Sequence, residues 1–250
     1  LSMSGVMDER QLFEIEAPPP VSLADKFGVP PMSVLDRRGG EWQDRKRRWG
    51  SLGMQSELGR DAGASKSMVE GDHFMARLLR GETGDMGAML GGGVSIFDPV
   101  VCELAYRWHT LPGDRILDPF AGGSVRGIVA STLARWYVGV DLRGEQIAAN
   151  EAQTHLGSDI APRWIQGDSA RLSEHLSPSD EFDFVFSCPP YADLEVYSDN
   201  PRDLSRMPYE EFRGTHARII AAATARLRND RFAAWVISDV RDKRGAYRGL

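Results

Sequence analysis

Cysteine is scarce in this sequence, and long apolar runs are missing from it. The two cysteines, Cys102 and Cys188, are too few for a disulfide framework or a structural zinc cluster, which is typical of a protein from a reducing interior. No segment approaches the roughly 18 apolar residues that a membrane helix needs, and residues 1–10 lack the charged and then apolar pattern of a signal peptide. We therefore expect a cytoplasmic chain with no membrane contact and no metal site.

An excess of positive charge is also absent. Because the formal net charge is −6, any binding of nucleic acid would have to come from a local basic patch and not from the overall field of the protein. What is present is an ordinary globular composition, 42% apolar and 26% charged over 250 residues. This composition argues against a fibrous or disordered chain and indicates one large domain, or a core domain with an appendage.

One cationic stretch lies between Arg37 and Arg48. It holds six basic residues against two acidic ones, a local charge of +4, together with Trp42 and the adjoining Trp49. Arginines interleaved with aromatic rings suit phosphate neutralisation and stacking on a base. The candidate nucleic-acid contacts are Arg45, Lys46, Arg47 and Arg48. The alternative is a solvated helix face whose tryptophans pack on the main domain.

The chain divides near a glycine-rich segment. Residues 1–20 combine prolines with acidic residues and are expected to form a leader that buries little surface. Residues 81–93 hold six glycines and almost no periodic apolar signal, which indicates a loop that serves as a lid or a linker. We therefore predict a leader, a basic arm and a glycine-rich loop over residues 1–93, and a folded domain over residues 94–250.

Beyond residue 94 the apolar pattern changes between helix and strand periods. Asp98 and Pro99 suit the N-cap and first position of a helix that reaches His109. Short apolar runs predict strands at 115–117, 136–140, 163–165, 182–186 and 232–237, and helical spacing predicts helices at 124–133, 144–156 and 209–227. Strands joined through helices pair in parallel, so we expect a doubly wound, mostly parallel, Rossmann-like α/β sheet with helices on both faces.

Acidic residues follow the first three predicted strands. The first strand runs into Asp118-Pro119-Phe120-Ala121-Gly122-Gly123, a turn in which the glycines permit close approach of a ligand. Asp141 ends the second strand 19 residues after Gly122, where a carboxylate can accept hydrogen bonds from both ribose hydroxyls of an adenosine, and Asp168 follows the third. Because the turn lacks the lysine of a phosphate-binding loop, the expected ligand is a positively charged adenosine, S-adenosylmethionine.

The fourth predicted strand ends in Ser187-Cys188-Pro189-Pro190-Tyr191. With this segment the chain resembles the S-adenosylmethionine-dependent amino-methyltransferases of DNA, whose fourth motif is Asp, Asn or Ser followed by Pro-Pro and an aromatic residue. The turn after the first strand is similar to their first motif, and the segment around Asp98 is similar to one that helps to hold the methionine part. The resemblance covers residues 94–244, and residues 27–49 also resemble phage-encoded members.

The resemblance implies a site-specific DNA methyltransferase in a bacterial or phage-infected cell, acting on duplex DNA with a flipped target base. Restriction partner, phage self-protection and regulation all remain open as its role. The implied cofactor contacts are Asp98, Asp118, Pro119, Phe120, Ala121, Gly122, Gly123, Asp141, Leu142, Asp168 and Ser169. The implied catalytic residues are Ser187, Cys188, Pro189, Pro190 and Tyr191. Tyr197 either lines the base pocket or packs on the neighbouring helix.

The chemistry of the family explains these residue types. The amine of adenine or cytosine is a poor nucleophile because its lone pair is delocalised into the ring. In the family, a side-chain oxygen and the next carbonyl accept the two amine hydrogens and localise that pair. Here the carbonyl would be that of Pro189, and Tyr191 would provide a face on which the extruded base stacks.

Cys188 departs from the pattern, because a thiol is only a weak hydrogen-bond acceptor. Either Cys188 serves poorly, or Ser187 supplies the oxygen through a shifted loop, or the cysteine simply fills a turn. The target amine therefore stays open between cytosine N4 and adenine N6. A rival interpretation has the Cys188 thiolate attack pyrimidine C6, but the companion motifs of that chemistry are missing from the sequence.

Two strands of the seven-stranded sheet that the resemblance implies are unaccounted for after the fifth predicted strand. A fragment of a longer protein, a loss of order at the end, N-terminal strands or a partner subunit, such as a second copy in a dimer, would each explain this. Two other functions stay open: methylation of an RNA base, and a catalytically weak module that binds cofactor and nucleic acid.

Overall fold

Strands and helices alternate along the described part of the chain. The computed structural model describes residues 35, 37–55, 97–191, 196–237, 240–241 and 247–248. Its helices are α1 (Gly40–Gly50), α2 (Pro99–His109), α3 (Val125–Thr132), α4 (Gly144–Ala152), α5 (Leu172–His175) and α6 (Tyr209–Thr224), with 3-10 turns at Thr154–Leu156, Ser169–Arg171 and Leu204–Arg206. Its strands are β1 (Arg115–Asp118), β2 (Trp136–Asp141), β3 (Arg163–Gln166), β4 (Phe182–Ser187), β5 (Leu227–Trp235), β6 (Val240–Arg241) and β7 (Tyr247–Arg248).

The main sheet has five strands in the order β3-β2-β1-β4-β5. Every pairing within it is parallel, which confirms the predicted doubly wound α/β class. The chain leaves β1 toward β2 and β3 on one side and later returns to place β4 on the other side. The strand order therefore reverses between β1 and β4, and ligands of open α/β sheets bind at the carboxyl ends of the strands beside such a reversal.

Both faces of the sheet carry apolar side chains, because successive residues of a strand point to opposite sides. Ile116 and Phe184 belong to a core that also contains residues of α2 and α3. Their neighbours Leu117 and Val185 belong to a second core that includes Ala223 of α6. Two covered faces explain why the central strands read as short apolar runs and not as apolar and polar residues in alternation.

Asp98 caps α2 as predicted. Its Oδ1 accepts a hydrogen bond from the Val100 amide at 3.0 Å, and Pro99 takes the first helical position. Pro99 suits this position because the first turn of a helix has no intrahelical partner for its amides. This cap fixes the start of α2 next to the carboxyl end of the sheet.

The boundaries near the fifth strand were wrong. The helix predicted at 209–227 ends at Thr224, and the strand predicted at 232–237 runs from Leu227 to Trp235. Residues 228–231 are polar, so the apolar run that predicted the strand begins only after them. The pairing with β4 is irregular at this place, since Phe182 pairs with Leu227 and Phe184 pairs with Phe232. The helix predicted at 144–156 likewise ends at Ala152 and continues as a separate 3-10 turn.

Helix α1 packs on the sheet domain through its tryptophans. Trp42 and Trp49 are buried in the same core as the residues of α2 and β4. Trp49 Nε1 donates to Glu103 Oε2 at 2.8 Å, and Arg45 Nη1 donates to Glu103 Oε1 at 2.7 Å. The interpretation in which the tryptophans pack on the main domain is confirmed. The predicted division at residue 93 therefore separates segments that share one core.

The predicted leader at 1–20 and the predicted glycine-rich loop at 81–93 lie outside the described residues. Within the described part of the chain, the main sheet contains five strands, and β6 and β7 pair antiparallel in a separate ladder. No helix among the described residues is long and apolar enough to cross a membrane.

Candidate active site

A cavity of about 370 Å³ lies at the carboxyl ends of β1 to β4. Asp141, Asp168, Pro189 and Tyr191 all line it, although they follow three different strands. The predicted convergence of the strand ends is therefore present in the structure. The volume falls in the range of roughly 300–1,000 Å³ that is usual for small-molecule sites.

The glycine turn forms one wall of the cavity. Gly122 has a φ of 49°, a left-handed conformation that glycine adopts without strain. The turn also approaches β2 closely, because a Cβ on Gly139 would lie 2.8 Å from the Cβ of Ala121. Four of the predicted cofactor contacts, Pro119, Phe120, Gly122 and Gly123, line the cavity, whereas Ala121 is buried beneath the turn and does not.

The Asp141 carboxylate is held by two backbone amides. One oxygen accepts from the Gly122 amide at 2.9 Å, and the other accepts from the Arg143 amide at 2.9 Å. These bonds fix the carboxylate at the end of β2 and tie it to the glycine turn. Asp141 and Leu142, two further residues predicted to contact the cofactor, both line the cavity.

Asp168 follows strand β3 by two residues. Its Oδ1 accepts from the Ala170 amide at 2.9 Å, so the residue caps the 3-10 turn that follows. Its Oδ2 lies 3.9 Å from a guanidinium nitrogen of Arg202. The hydroxyl of Ser169, the next residue, donates to the carbonyl of Pro119, which joins this segment to the glycine turn. Asp168, Ser169 and Arg202 line the cavity.

The prediction that Asp118 contacts the ligand is corrected. Asp118 is 0% exposed, and its carboxylate is occupied inside the domain. It accepts from Ser187 Oγ at 2.5 Å, from Tyr137 Oη at 2.7 Å and from Arg126 Nε at 2.5 Å. Asp118 therefore positions the glycine turn from below and does not face the cavity.

Ser187 requires the same correction. Its side chain is completely buried, and its hydroxyl points toward Asp118 and the Phe120 amide. The interpretation in which Ser187 supplies the catalytic oxygen is therefore not supported by its position. Cys188, Pro189, Pro190 and Tyr191 line the cavity instead. The Cys188 sulfur lies 3.5 Å from the Tyr191 hydroxyl.

Arg126 is a site residue that no sequence motif indicated. Its side chain is 5% exposed and lies between Asp118 and the cavity. It also donates to the carbonyls of Phe120 and Ala121, and its guanidinium lies 4.7 Å from the ring centre of Phe97. Burial by itself would lower the pKa of Arg126, but the Asp118 carboxylate together with the Tyr137 and Cys188 side chains outweighs burial, so the pKa is raised. The guanidinium therefore stays charged and holds the turn.

One signal in the sequence could have identified Arg126. It lies in the first turn of α3, where the helix dipole disfavours a cation. A basic residue at such a place indicates a specific anionic partner.

The predicted nucleic-acid contacts separate into two groups. Arg45 is tied to Glu103, so the expectation that its guanidinium contacts a phosphate is corrected. Arg47 and Arg48 are exposed on α1, Lys46 is half-buried there, and Arg47 pairs with Asp44. Tyr197, which was predicted either to line the base pocket or to pack on the neighbouring helix, lines the cavity. Arg37, which precedes α1, lines the cavity as well.

Comparisons with known proteins leave the activity unassigned. No family model and no curated protein match the sequence. Among solved structures, the chain is similar to TrmN from Thermus thermophilus with 20% identity, a TM-score of 0.45 and coverage of 56% of this chain and 38% of that one. It is similar to a SAM-dependent methyltransferase from Geobacter sulfurreducens in complex with S-adenosyl-L-homocysteine, with 17% identity, a TM-score of 0.38 and coverage of 55% and 46%. The chain thus spans less than half the length of either protein.

A third solved structure is the 16S rRNA methyltransferase RsmC from T. thermophilus, in complex with AdoMet and guanosine. The identity is 16%, the TM-score is 0.39, and the match covers 56% of this chain and 34% of that one.

Proposed function

We propose that this chain is an S-adenosylmethionine-dependent methyltransferase that modifies the exocyclic amine of a DNA base, cytosine N4 or adenine N6. The observation that carries the proposal is the placement of Asp141 and Asp168 in one cavity with Pro189 and Tyr191. Carboxylates suited to an adenosine and a loop suited to a flipped base thus border the same space.

The residues around the cavity fit this cofactor. The Asp141 carboxylate is oriented by two amides, so further hydrogen bonds from ribose hydroxyls would find it in place. Gly122 and Gly123 bring backbone without side chains to the same wall. When bound, S-adenosylmethionine supplies an electrophilic methyl group on its positively charged sulfur, and it would occupy a cavity lined by four aspartates and four arginines.

The loop after β4 would act on the amine. The Pro189 carbonyl accepts one amine hydrogen and thereby localises the nitrogen lone pair. Cys188 takes the position of the second acceptor, for which a thiol is weakly suited. Tyr191 offers a ring for stacking of the base, and two consecutive prolines restrict the loop, which keeps the carbonyl and the ring in position.

Helix α1 supports a nucleic-acid substrate. Lys46, Arg47 and Arg48 lie on it, and Arg37, just before it, lines the cavity. A basic segment that begins at the rim of the cavity would bring a phosphate backbone close to the base pocket. The overall charge of −6 makes this local segment the place where such contact is favourable.

Transfer of a labelled methyl group tests the proposal. The full chain is incubated with methyl-labelled S-adenosylmethionine and with duplex DNA, RNA or neither, and modified nucleosides are identified by mass spectrometry. We expect N4-methylcytosine or N6-methyladenine in DNA. Asp141→Asn should abolish most of the transfer, whereas Asp159→Asn, at an exposed aspartate, should leave it unchanged.

The other outcomes of this experiment decide between functions. Label in RNA alone would overturn the DNA substrate and retain the chemistry. Cofactor binding without any transfer would favour a catalytically weak binding module, a function that the weak acceptor at Cys188 supports. Absence of both binding and transfer would overturn the proposal.

A further inference from the structure

Two opposite charges meet at the wall of the cavity where α1 approaches α2. A guanidinium nitrogen of Arg37 lies 3.5 Å from Asp98 Oδ2, and both residues line the cavity. Arg37 belongs to the basic arm, for which the sequence predicted either contacts with nucleic acid or a solvated helix face. Its place in the cavity indicates a different ligand.

The Asp98 carboxylate is fixed by both helices. Its Oδ1 caps α2 through the Val100 amide, and its Oδ2 accepts from Trp42 Nε1 of α1 at 3.1 Å. The side chain is 9% exposed, so the carboxylate presents only an edge to the cavity. This fixed geometry makes Asp98 a preorganised acceptor for a cationic group.

Arg37 differs from Asp98 in its exposure. Its side chain is 67% exposed, and its contact with Asp98 is long for a hydrogen bond. A guanidinium carries five N–H donors in a planar fork that matches a carboxylate, and the contact with Asp98 involves one nitrogen. Because the guanidinium is exposed, this ion pair contributes little to stability. Both charged groups can therefore also interact with a ligand.

The charge pattern selects among ligand groups. A phosphate next to Arg37 would also face the Asp98 carboxylate at close range, and the two like charges would repel each other. An α-amino acid carries a cationic amine and an anionic carboxylate on neighbouring atoms. The Asp98 and Arg37 pair matches both charges, one to each residue.

We propose that Arg37 is a specificity-determining residue that binds the α-carboxylate at the amino-acid end of the cofactor, while Asp98 accepts from its α-amino group. This inference rests on the proposed function, because it assumes that S-adenosylmethionine occupies the cavity. It makes the N-terminal segment a part of the cofactor site. Trp42 then serves as a positioning residue that holds Asp98 against α1.

Calorimetric titration of the full chain with three ligands tests this assignment. S-Adenosylmethionine has the amine and the carboxylate, its decarboxylated form has the amine alone, and 5′-methylthioadenosine has neither group. We expect Arg37→Ala to weaken binding of S-adenosylmethionine by roughly tenfold and to leave binding of the other two ligands within about twofold. Arg38→Ala, which removes the same charge from the adjacent exposed residue, should change none of the three.

Asp98→Asn provides the complementary variant. Asparagine also caps helices well, so α2 should persist, and circular dichroism checks that it does. We expect this variant to lose affinity for both amine-bearing ligands and to retain binding of 5′-methylthioadenosine.

Failure of the inference and failure of the proposed function are distinguishable. If the unchanged protein binds S-adenosylmethionine and Arg37→Ala weakens all three ligands equally, or none, the role of Arg37 is overturned and the cofactor remains. If the unchanged protein binds none of the three ligands, the proposed function is overturned together with the inference.

Discussion

The Ser187 hydroxyl donates a 2.5 Å hydrogen bond to the Asp118 carboxylate, which joins the last residues of β4 and β1. These two strands flank the point where the strand order reverses. The bond therefore fixes the relative position of the glycine turn and the proline loop, the two segments between which the cavity lies. Both residues are buried, so they shape the site without entering it.

Replacement of Cys188 by an oxygen-bearing residue should increase activity. In the proposed mechanism the side chain at this position accepts an amine hydrogen, and a hydroxyl or carboxylate accepts better than a thiol. We expect Cys188→Ser to raise kcat for methyl transfer by up to about tenfold, equivalent to roughly 1.4 kcal/mol, with no change in cofactor affinity. Cys188→Ala, which removes the thiol without adding an acceptor, serves as the matched control and should not raise kcat. A lower kcat in Cys188→Ser would show that the thiol itself is required.

Removal of the Tyr191 ring should separate turnover from cofactor binding. Stacking of a base on an aromatic side chain contributes about 1–3 kcal/mol, so Tyr191→Ala should lower kcat/KM for DNA by roughly 10- to 100-fold. The affinity for S-adenosylhomocysteine, measured by calorimetry, should stay within about twofold. Tyr191→Phe retains the ring and should keep most of the activity. Loss of cofactor binding in Tyr191→Ala would contradict this division of roles.

Arg126 should matter for stability as well as for binding. Its removal leaves the Asp118 carboxylate buried without its cation, which typically costs about 3–5 kcal/mol. We expect Arg126→Met to lower the midpoint of urea denaturation strongly and to weaken cofactor binding, because the Phe120 and Ala121 carbonyls lose their donor. The double variant Asp118→Asn with Arg126→Met should recover part of the stability. Equal stability of the single and double variants would contradict the pairing.

Mild acid should destabilise the protein through His216. This residue lies against Phe120, Phe212 and Trp235, and its Nε2 is buried without a hydrogen-bond partner among the described residues. Burial lowers the pKa of His216 below its ordinary value. The unfolded chain therefore binds the proton more readily, so stability falls as the pH drops below about 6.5.

The variant His216→Phe tests this effect. Its thermal midpoint should fall less between pH 7 and pH 5.5 than that of the unchanged protein. Burial also lowers the pKa of His109, so part of the dependence should persist. The pKa of Asp183 is also lowered, so protonation of this carboxylate should likewise reduce the stability of the folded protein, but only in stronger acid, below about pH 4. An unchanged pH dependence in His216→Phe would exclude this histidine as a source.

The basic residues in the second half of α1 should contribute to DNA binding. Lys46→Ala combined with Arg48→Ala should weaken binding to duplex DNA and reduce the slope of log K against log salt by about 2. Cofactor affinity should not change, since neither residue lines the cavity. Arg213→Ala combined with Arg218→Ala removes the same charge from the exposed face of α6 and serves as the control. Equal effects of the two pairs would argue against a specific role for α1.

The sequence by itself determined the class of the sheet and the edge at which the site lies. Apolar runs separated by helical patterns require crossover connections, and these bring all carboxyl ends to one side. Asp141, Asp168 and the loop from Cys188 to Tyr191 therefore converge in the structure as predicted. The N-cap at Asp98 is local and was equally predictable. The start of the fifth strand was not, because the polar residues at 228–231 conceal the apolar pattern where the strand is irregular.

Only the tertiary structure decided which of these side chains face the cavity. Asp118 and Asp141 both end strands, yet one carboxylate is buried beneath the turn and the other lines the cavity. The direction of a strand-end side chain depends on register and on partners far away in the chain, such as Ser187, 69 residues from Asp118. The same holds for Trp42 and Arg37, whose contacts with Asp98 span 56 and 61 residues. Local periodicity carries no information about such pairs, because packing between distant segments creates them.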